Sequence, residues 1–193
     1  MEGRNATVEA NRRAAIDAAL DVLAASGAEG FTMQAVAAQA DLSLRSLYNY
    51  FDTRERLLAE VFSALVKVSQ HEVEVSTPPD SDPMQRLESF VAAHFDVLAA
   101  QRRHMALLLA LRGVAELDER VHAIRAWRRR TLRQLLRDCS LRGAPLERAA
   151  AAAFPLTSFA SYTSLTDDLS LDHDEAIKTV SHALRCLALS SAD

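Results

Sequence analysis

A short segment in the first third of the chain carries side chains that can hydrogen-bond to nucleic-acid bases. If Leu47 points toward a packing partner, a helical advance of about 100° per residue brings Phe51 almost into line with it. The same advance carries Arg45, Tyr48 and Asn49 to the opposite side. Arginine can hold guanine O6 and N7 with two hydrogen bonds, asparagine can pair with adenine or a phosphate, and tyrosine offers a hydroxyl and a flat ring. This face predicts contact with the major groove of DNA, with Arg45 as the first choice for reading bases.

Polar side chains at the starts of neighbouring helices extend the same surface. They are Thr32, Ser43, Ser46 and Arg54. Such residues can meet phosphates, and phosphate contacts position a protein on DNA without specifying a sequence. Helix capping and solvation account for the same residue types equally well, so both interpretations stay open.

Apolar periodicity predicts the first of the helices that must hold this segment. It runs from about Val8 to Ser26 and has an apolar face at spacing i, i+3, i+4 and i+7, with Gly27 suited to end it. The apolar face consists of Ile16, Ala19, Leu20 and Leu23.

Two very short helices are predicted on either side of a tight turn. Thr32 is suited to cap a helix from about Met33 to Gln39. Ser43 is suited to cap another that ends near Phe51. The turn between them is Asp41-Leu42-Ser43, whose residues favour turns.

Further helices fill the rest of the chain, and all-α is therefore the predicted fold class. The sequence has only five Gly and five Pro, and its hydrophobic fraction of 49% is rich in Ala and Leu, which favour helices. The predicted helices are Thr53–Glu72, Met84–Ala100, Arg103–Leu111, Glu116–Leu141, Leu146–Asp167 and Asp174–Leu189. Asp52 or Thr53 is suited to cap the first of them. A proline-rich loop is expected at Ser76–Pro83. Gly113 and Gly143 are expected to end helices, and Pro155 is expected to kink or split the helix that contains it.

The segment from Phe31 to Glu55 resembles the amino-terminal domain of TetR-family regulators. That family typically has a Thr opening the second helix, a Gly-Val-Ser turn, a Leu-Tyr-x-His/Tyr-Phe recognition helix and a Ser-Lys-Glu start to the fourth helix. The matching positions are Thr32, Ser43, Leu47, Tyr48, Tyr50, Phe51 and Glu55. Asp41 replaces the turn glycine, at a cost of around 1 kcal/mol or less because Asp tolerates left-handed backbone. Arg45 stands where the family often has glycine, and Arg54 replaces lysine.

The resemblance implies a DNA-binding transcriptional regulator with two parts. Residues 1–52 would form a helix-turn-helix domain, and residues 53–193 a helical domain for ligand binding and dimerisation. Leu44 and Tyr50 complete the candidate DNA contacts. The formal net charge of −4 does not favour DNA, so affinity is expected to need a homodimer that reads a palindrome. The expected partners are a double-stranded DNA operator and an unknown small-molecule effector that releases the repressor, and no cofactor is expected.

Apolar and aromatic residues of the second domain, with a few polar ones, can line a ligand cavity. The candidates are Phe90, His94, Phe95, Leu98, Met105, Leu108, Leu109, Trp127, Phe154, Thr157 and Ser161. The same residues suit a plain hydrophobic core, in which a lone histidine is commonly hydrogen-bonded. An arginine stripe can either attract an anionic effector or form a solvated helix face. It consists of Arg125, Arg129, Arg133 and Arg137.

The last two predicted helices carry small or apolar faces. The residues are Ala149, Ala153, Leu156 and Ala160 on one helix and Ile177, Val180, Leu184 and Leu187 on the other. The resemblance implies that they pair across a homodimer as a four-helix bundle.

Two other functions fit parts of the sequence. A ligand-independent DNA-binding protein would need no cavity in its second domain. An all-α metal-dependent hydrolase would use the cluster Asp167, Asp168, Asp172, His173 and Asp174, although capping also explains acids before a helix. No nucleophile elbow, phosphate loop or Cys-x-x-Cys pair occurs, so neither an enzyme nor a metal site is expected.

Location and cysteine chemistry follow from simple counts. No apolar run approaches the roughly 20 residues that span a bilayer, and Met1–Ala10 lacks the apolar core of a signal peptide. A cytoplasmic protein without a membrane partner is therefore expected. Cys139 and Cys186 lack zinc or redox spacing and are predicted to be buried reduced thiols, with a redox switch as the alternative.

Overall fold

The computed structural model describes residues 2–77, 80–105 and 115–189, in which every regular element is helical. The predicted all-α class is confirmed. The helices are α1 (Glu2–Gly30), α2 (Met33–Gln39), α3 (Leu44–Tyr50), α4 (Arg54–Val75), α5 (Pro83–Ala100), α6 (Ala115–Asp138), α7 (Gly143–Leu156), α8 (Phe159–Thr163) and α9 (His173–Leu189), with a π-helical turn at Ser164–Asp168. Residues 102–105 are also helical, and the rest of the helix predicted there lies outside the described residues.

The chain divides into two compact units. The first contains residues up to Lys67 and the described residues of Arg102–His122, and the second contains Val68–Gln101 and the described residues from Ala123 onward. The expectation that residues 1–52 by themselves form the DNA-binding domain stays a prediction.

Helix α1 is interrupted at Gly27, where the sequence places its end. Gly27 has φ 68° and ψ −171°, and the helix resumes for a last short stretch to Gly30. Positive φ is strained for residues that carry a Cβ, and glycine avoids that cost. The predicted break is confirmed, whereas the predicted start at Val8 is wrong because the helix already begins at Glu2.

Side-chain caps begin both short helices of the first unit. The Ala35 N–H donates to Thr32 Oγ1 at 3.1 Å, and the Ser46 N–H donates to Ser43 Oγ at 3.0 Å. Helices of seven residues leave most of their backbone end groups without a partner in the helix, so such caps matter more than in long helices. The predicted bounds of α2 are confirmed.

The turn between α2 and α3 is left-handed at Asp41, which has φ 52°. The Leu42 N–H closes the turn by donating to the Ala37 carbonyl at 2.9 Å. This bond satisfies a carbonyl at the end of α2, in the manner of a helix C-cap that usually ends on glycine. Asp41 therefore takes the role of the missing turn glycine, as predicted.

The core of the first unit joins four helices. Its fully buried side chains include Leu23 on α1, Val36 on α2, Leu47 on α3 and Leu58 on α4. Phe31 and Phe51, at the entry to α2 and the exit of α3, are also buried. Burying side chains of this size contributes on the order of 1.5–3 kcal/mol each.

The second unit is built around α5. Asp82 caps it by accepting from the Met84 N–H at 2.9 Å, and Pro83 occupies the first turn, where its missing N–H costs nothing. Helix α5 packs against α8 and α9, and α9 also packs against α7.

Helix ends in the second unit differ from two predictions. Helix α6 ends at Asp138 rather than at Leu141, because Ser140 turns left-handed with φ 74°. Gly143, predicted as a stop, instead begins α7 with φ 58°. The split expected at Pro155 is confirmed, since the proline lacks a backbone donor and α7 ends at the next residue.

Helix α4 is longer than predicted and continues to Val75. The Arg56 N–H donates to Thr53 Oγ1 at 3.0 Å, which identifies Thr53 as the capping side chain. The chain passes from the first unit to the second within this helix, between Lys67 and Val68.

Several residues predicted for a subunit interface lie in the core of the same chain. They are Ala149, Ala153, Val180 and Leu184, all less than 5% exposed. Helices α7 and α9 pack against each other within one chain, and this packing takes up their most regular apolar stripes. The prediction that these four side chains face a second subunit is therefore wrong.

Candidate nucleic-acid interface

Helix α3 is fixed by its inward side chains. Leu47 and Phe51 are both 0% exposed, and Val36 and Ala37 of the neighbouring helix α2 are buried as well. Helices α2 and α3 are in direct contact. The prediction that Leu47 and Phe51 share the inward direction is confirmed.

The opposite side of α3 is open. Tyr48 is 46% exposed and Leu44 is 41% exposed, and Arg45 and Asn49 are exposed too. Within the described chain, Arg45, Tyr48 and Asn49 make no hydrogen bond or ion pair. Three polar side chains thus project from one helix face with their hydrogen-bonding groups free.

The hydroxyl groups predicted to meet phosphates double as caps. Thr32 and Ser43 are exposed and accept backbone N–H groups, and Ser43 Oγ lies 2.8 Å from Ser46 Oγ. A capping oxygen that accepts a bond still has a hydroxyl proton to donate. Capping and phosphate contact are therefore compatible at Thr32.

Two candidate DNA-contacting residues, Arg54 and Tyr50, make hydrogen bonds within the first unit. Arg54 donates from Nε to the Phe31 carbonyl at 2.9 Å and lies over the Phe31 ring, with its carbon Cζ 5.5 Å from the ring centroid. Tyr50 Oη accepts from Asn11 Nδ2 at 3.0 Å. Arg54 links α4 to the connection before α2, and Tyr50 links α3 to α1. A role in phosphate contact stays a prediction for both side chains.

Arg12 is a residue of the site that sequence reasoning missed. Its Nη1 donates to the Tyr50 carbonyl at 2.9 Å, at the end of α3, and its guanidinium lies 4.8 Å from the centroid of the Phe51 ring. A signal was available, because position 12 lies one helical turn before Ile16 on the apolar face of α1. A charged residue at a buried-face position needs a partner, and α3 supplies it.

In the second unit, His94 is a buried and hydrogen-bonded histidine. It is 8% exposed, stacks on Phe90 at 5.5 Å between ring centroids, and its Nε2 lies 3.0 Å from the Thr157 carbonyl. Burial, with the nearby Arg128 charge, lowers the pKa of His94 to about 3. The neutral ring therefore donates from Nε2 to the carbonyl that the break after α7 leaves free.

Arg128 completes this cluster. It donates from Nη1 to the same Thr157 carbonyl at 3.1 Å and lies 4.3 Å from the centroid of the Phe154 ring. Burial and then the charge of Arg125 lower the pKa of Arg128 to about 10. The cluster brings together three of the predicted ligand residues, His94, Phe154 and Thr157, but as mutually packed groups.

The remaining predicted ligand residues are dispersed. Phe95 is fully buried against Tyr162, at 5.0 Å between ring centroids, and Leu98 is also buried. Met105 and Ser161 are half-buried, and Leu108 and Leu109 lie outside the described residues. Core packing is therefore the observed role of Phe95 and Leu98.

A groove of about 410 Å³ opens in the second unit beside α4, α5 and α6. It is lined by Val73, Glu74, Thr77, Arg86, Phe90, Trp127, Arg130, Thr131, Gln134 and Leu135. Phe90 and Trp127 were both predicted as ligand residues, and their ring centroids are 6.4 Å apart. A second groove, of about 750 Å³, lies between α5 and α9.

The acidic cluster near position 170 is used for capping and hydrogen bonding. Asp172 accepts from the Glu175 N–H at 2.8 Å, and His173 lies between Tyr162 Oη at 3.0 Å and Asp96 Oδ1 at 2.8 Å. Across the described ranges, no three His, Cys, Asp or Glu side chains are grouped to hold a metal ion.

The two cysteines are unpaired thiols in different surroundings. Cys139 is half-buried, and burial raises the pKa of its thiol. Cys186 is exposed, so the prediction that both are buried is wrong for Cys186. Its position on the outer face of α9 explains the difference.

Comparison with known proteins adds to this geometry. The family model described as bacterial regulatory proteins, tetR family, matches residues 15–61, from the buried face of α1 through α2 and α3 into α4. The matched segment is therefore a TetR-type amino-terminal domain. In the part of the chain that is described, no helix is both long and apolar enough to cross a membrane.

Among curated proteins, the chain is similar to the HTH-type transcriptional regulator SrpR of Pseudomonas putida. The two are 29% identical over 112 residues, which cover 58% of this chain and 51% of SrpR. The matched part of this chain thus spans about half the length of that curated relative.

Solved structures of transcriptional regulators share the fold over most of the chain. A transcriptional regulator from Rhodococcus sp. Rha1 has a TM-score of 0.77 and 17% identity, covering 93% of this chain and 96% of that one. The regulator FadR from Bacillus subtilis, solved in complex with stearoyl-CoA, has a TM-score of 0.67 and 20% identity, covering 92% and 97%. At these identities the likeness establishes the fold alone.

Proposed function

We propose that this chain is a DNA-binding transcriptional regulator of the TetR type, a repressor that leaves a palindromic operator when a small molecule binds its second unit. The observation that carries the proposal is the two-sided character of α3. Leu47 and Phe51 are fully buried, whereas Arg45, Tyr48 and Asn49 are exposed without partners in the described chain. A helix fixed on one side and free on the other is what reading the major groove requires.

Each outward residue has a distinct part in the proposal. Arg45 reads a guanine with two hydrogen bonds, and a good bidentate pair is worth about 1–3 kcal/mol of discrimination. Tyr48 and Asn49 contact the backbone or a neighbouring base, with Leu44 packing beside them. Phosphates are met by Thr32, Ser43 and Ser46, and secondarily by Tyr50 and Arg54.

A homodimer through the last two helices provides the second reading head. The stripes that face the core are occupied, so the proposed contact uses the outer faces of α7 and α9. Ala151 and Pro155 on α7 and His182 and Cys186 on α9 are exposed. Symmetric pairing would place two copies of α3 on two half-sites and double the phosphate contacts, which a chain of net charge −4 needs.

Release by a ligand is proposed as a population shift. An effector that binds better to dimers with mis-spaced reading heads lowers the population able to bind DNA. Helix α4 is the proposed lever, because one continuous helix begins just after α3 and ends at Val75, beside the groove of about 410 Å³. This groove favours a ligand-responsive regulator over a ligand-independent DNA-binding protein.

Selection of bound fragments from random DNA tests the proposal. The purified chain is expected to enrich an inverted repeat and to bind it as two chains per duplex, measured by sedimentation. Arg45→Ala is expected to relax the preference at one base pair per half-site, at a cost of about 1–3 kcal/mol. Arg129→Ala, which removes an exposed arginine from α6, is the matched control and should leave the preference unchanged.

Two results would contradict this function. One is the absence of any enriched sequence. The other is a uniform weakening of all operator variants by Arg45→Ala, which would assign Arg45 to phosphate contact rather than to base reading.

A further inference from the structure

The groove beside α4, α5 and α6 has the size and the floor of a small-molecule site. Its volume of about 410 Å³ lies within the roughly 300–1,000 Å³ typical of ligand pockets. The half-buried Trp127 supplies aromatic surface to the groove, and the fully buried Phe90 packs beside it, tilted by 44° at 6.4 Å between ring centroids. Leu135 and Val73 are buried behind the groove surface. A flat apolar molecule would find aromatic contact here.

Several polar groups of the lining already make hydrogen bonds within the chain. The Thr77 and Thr131 hydroxyls donate to the carbonyls one turn earlier in their helices, at 2.7 and 3.1 Å. Gln134 Nε2 donates to Asp138 Oδ1 at 2.7 Å, and the Arg86 Nη1 pairs with Asp138 Oδ2 at 2.8 Å. These donors are therefore unavailable to a ligand without rearrangement.

Arg130 differs from these lining residues because its guanidinium has no partner in the described chain. It is exposed at the groove, and in the described chain it makes no hydrogen bond or ion pair. A guanidinium offers a planar fork of N–H groups that fits the oxygens of a carboxylate, sulfonate or phosphate. Arg130 thus supplies a free donor set at the edge of an aromatic-lined groove.

The surrounding charge is positive. Between positions 123 and 138, helix α6 carries six arginines and a single carboxylate, Asp138, which is paired with Arg86. Glu74 is the acid that faces the groove from α4 and opposes an anion there. Arg130 is the one of these six arginines that lines the groove, and it supplies the positive charge that an anion would meet there.

We infer that this groove binds a planar apolar molecule that carries an anionic group, with its body on Trp127 and its charge on Arg130. This inference rests on the ligand-responsive part of the proposed function and names the class of effector. The bound molecule would also reach Glu74 in the last turn of α4. That contact places the ligand on the helix proposed to transmit its effect.

The probe for the test is 8-anilinonaphthalene-1-sulfonate, an aromatic anion, with the neutral N-phenyl-1-naphthylamine as its uncharged counterpart. Trp127 is the single tryptophan of the chain, so energy transfer from tryptophan shows that the probe is bound to the protein, and the variants described next locate its site. The full-length protein is titrated without DNA, and dissociation constants are measured for both probes. The anion is expected to show energy transfer and to bind more tightly than the neutral probe.

Three variants assign the binding to the groove. Arg130→Gln is expected to raise the dissociation constant of the anion about three- to tenfold, in keeping with a partly exposed charge pair. The neutral probe should be unaffected by it. Glu74→Gln should tighten anion binding, because it removes the opposing carboxylate. Arg129→Gln, the control for net charge on α6, should leave binding unchanged.

Opposite results would overturn the inference. Equal effects of Arg130→Gln and Arg129→Gln would mean attraction by overall charge alone. Weaker anion binding in Glu74→Gln would mean that the groove prefers cations. Loss of anion binding in Lys178→Gln but not in Arg130→Gln would move the probe to the groove between α5 and α9.

A separate measurement distinguishes this inference from the proposed function. If the anion binds through Arg130 but never releases the selected DNA, the site stands and ligand-controlled repression fails. If a selected operator is released by other compounds while Arg130→Gln changes nothing, the regulator stands and this site fails.

Discussion

Arg12 is expected to determine how firmly the recognition helix is held, and its removal is the most direct test of the site geometry. The guanidinium makes two contacts at the end of α3, a hydrogen bond of 2.9 Å to the Tyr50 carbonyl and a stacking contact at 4.8 Å from the Phe51 ring centroid. The carbonyl is one of the end groups of α3 that has no partner within the helix. Without Arg12, that group must turn to water.

The expected magnitude follows from these two contacts. A hydrogen bond from a charged donor contributes about 1.5–3 kcal/mol, and a cation–π contact at a half-exposed site about 0.5–1 kcal/mol. One side chain makes both, so their contributions are not additive, and Arg12→Ala is expected to cost about 2 kcal/mol. For a chain of this length, that corresponds to a fall in melting temperature of roughly 4–8 °C.

Urea denaturation followed by far-ultraviolet circular dichroism measures the effect, with binding to the selected operator as a second readout. Arg13→Ala is the matched control, because Arg13 is the next residue, is exposed and makes no hydrogen bond or ion pair within the described chain. It should change stability by less than about 0.5 kcal/mol. Arg12→Lys should recover only part of the loss, because an ammonium cannot stack and donate as the planar fork does. Equal losses for Arg12→Ala and Arg13→Ala would refute the structural role of Arg12.

Two further predictions concern the turn and the buried histidine. Asp41→Gly should raise the free energy of unfolding by about 0.5–1 kcal/mol, because φ is 52° at this residue and glycine adopts positive φ without strain. Asp52→Gly is the control and should not raise the free energy of unfolding. Urea denaturation compares the two variants, and a lower free energy of unfolding for Asp41→Gly would contradict backbone strain at Asp41. His94 has its pKa lowered to about 3 in the folded chain, against 6.5 in an unfolded one, so the unfolded state binds the extra proton between these values. The contribution of His94 to the free energy of unfolding should therefore be complete above pH 6.5 and fall by about 1.4 kcal/mol per pH unit below it. In a pH series of melting curves, His94→Gln should remove this part of the acid sensitivity. If the dependence of stability on pH is the same in His94→Gln as in the unmodified chain, the burial of a neutral histidine is contradicted.

The short helices of the first unit could be predicted because their signals are local. The Thr32 and Ser43 caps, the Asp41 turn and the Gly27 break each depend on residues within one or two helical turns. The outward face of α3 was also predictable, since one buried leucine fixes the direction of every other residue on a seven-residue helix. The family resemblance rested on these same positions.

Contacts between distant segments were not predictable in this way. Arg12 meets Tyr50 across 38 positions, and Arg54 meets Phe31 across 23. A sequence pattern shows that a charged residue lies on a buried face, but not which carbonyl it reaches. The interface residues Ala149, Ala153, Val180 and Leu184 were misplaced for the same reason, because an apolar stripe does not show whether its partner lies in the same chain.

The sequence by itself determined that the chain is helical, where its short helices start and stop, and which side of α3 carries Arg45, Tyr48 and Asn49. Only the tertiary structure decided that His94 is held neutral in the core, that Tyr50 and Arg54 also bind other parts of the chain, and that a groove opens beside Trp127 rather than around His94. Caps and periodicity act over a few residues and are written in neighbouring positions. Burial, cavities and pKa shifts arise where several helices meet, and no single stretch of sequence contains them.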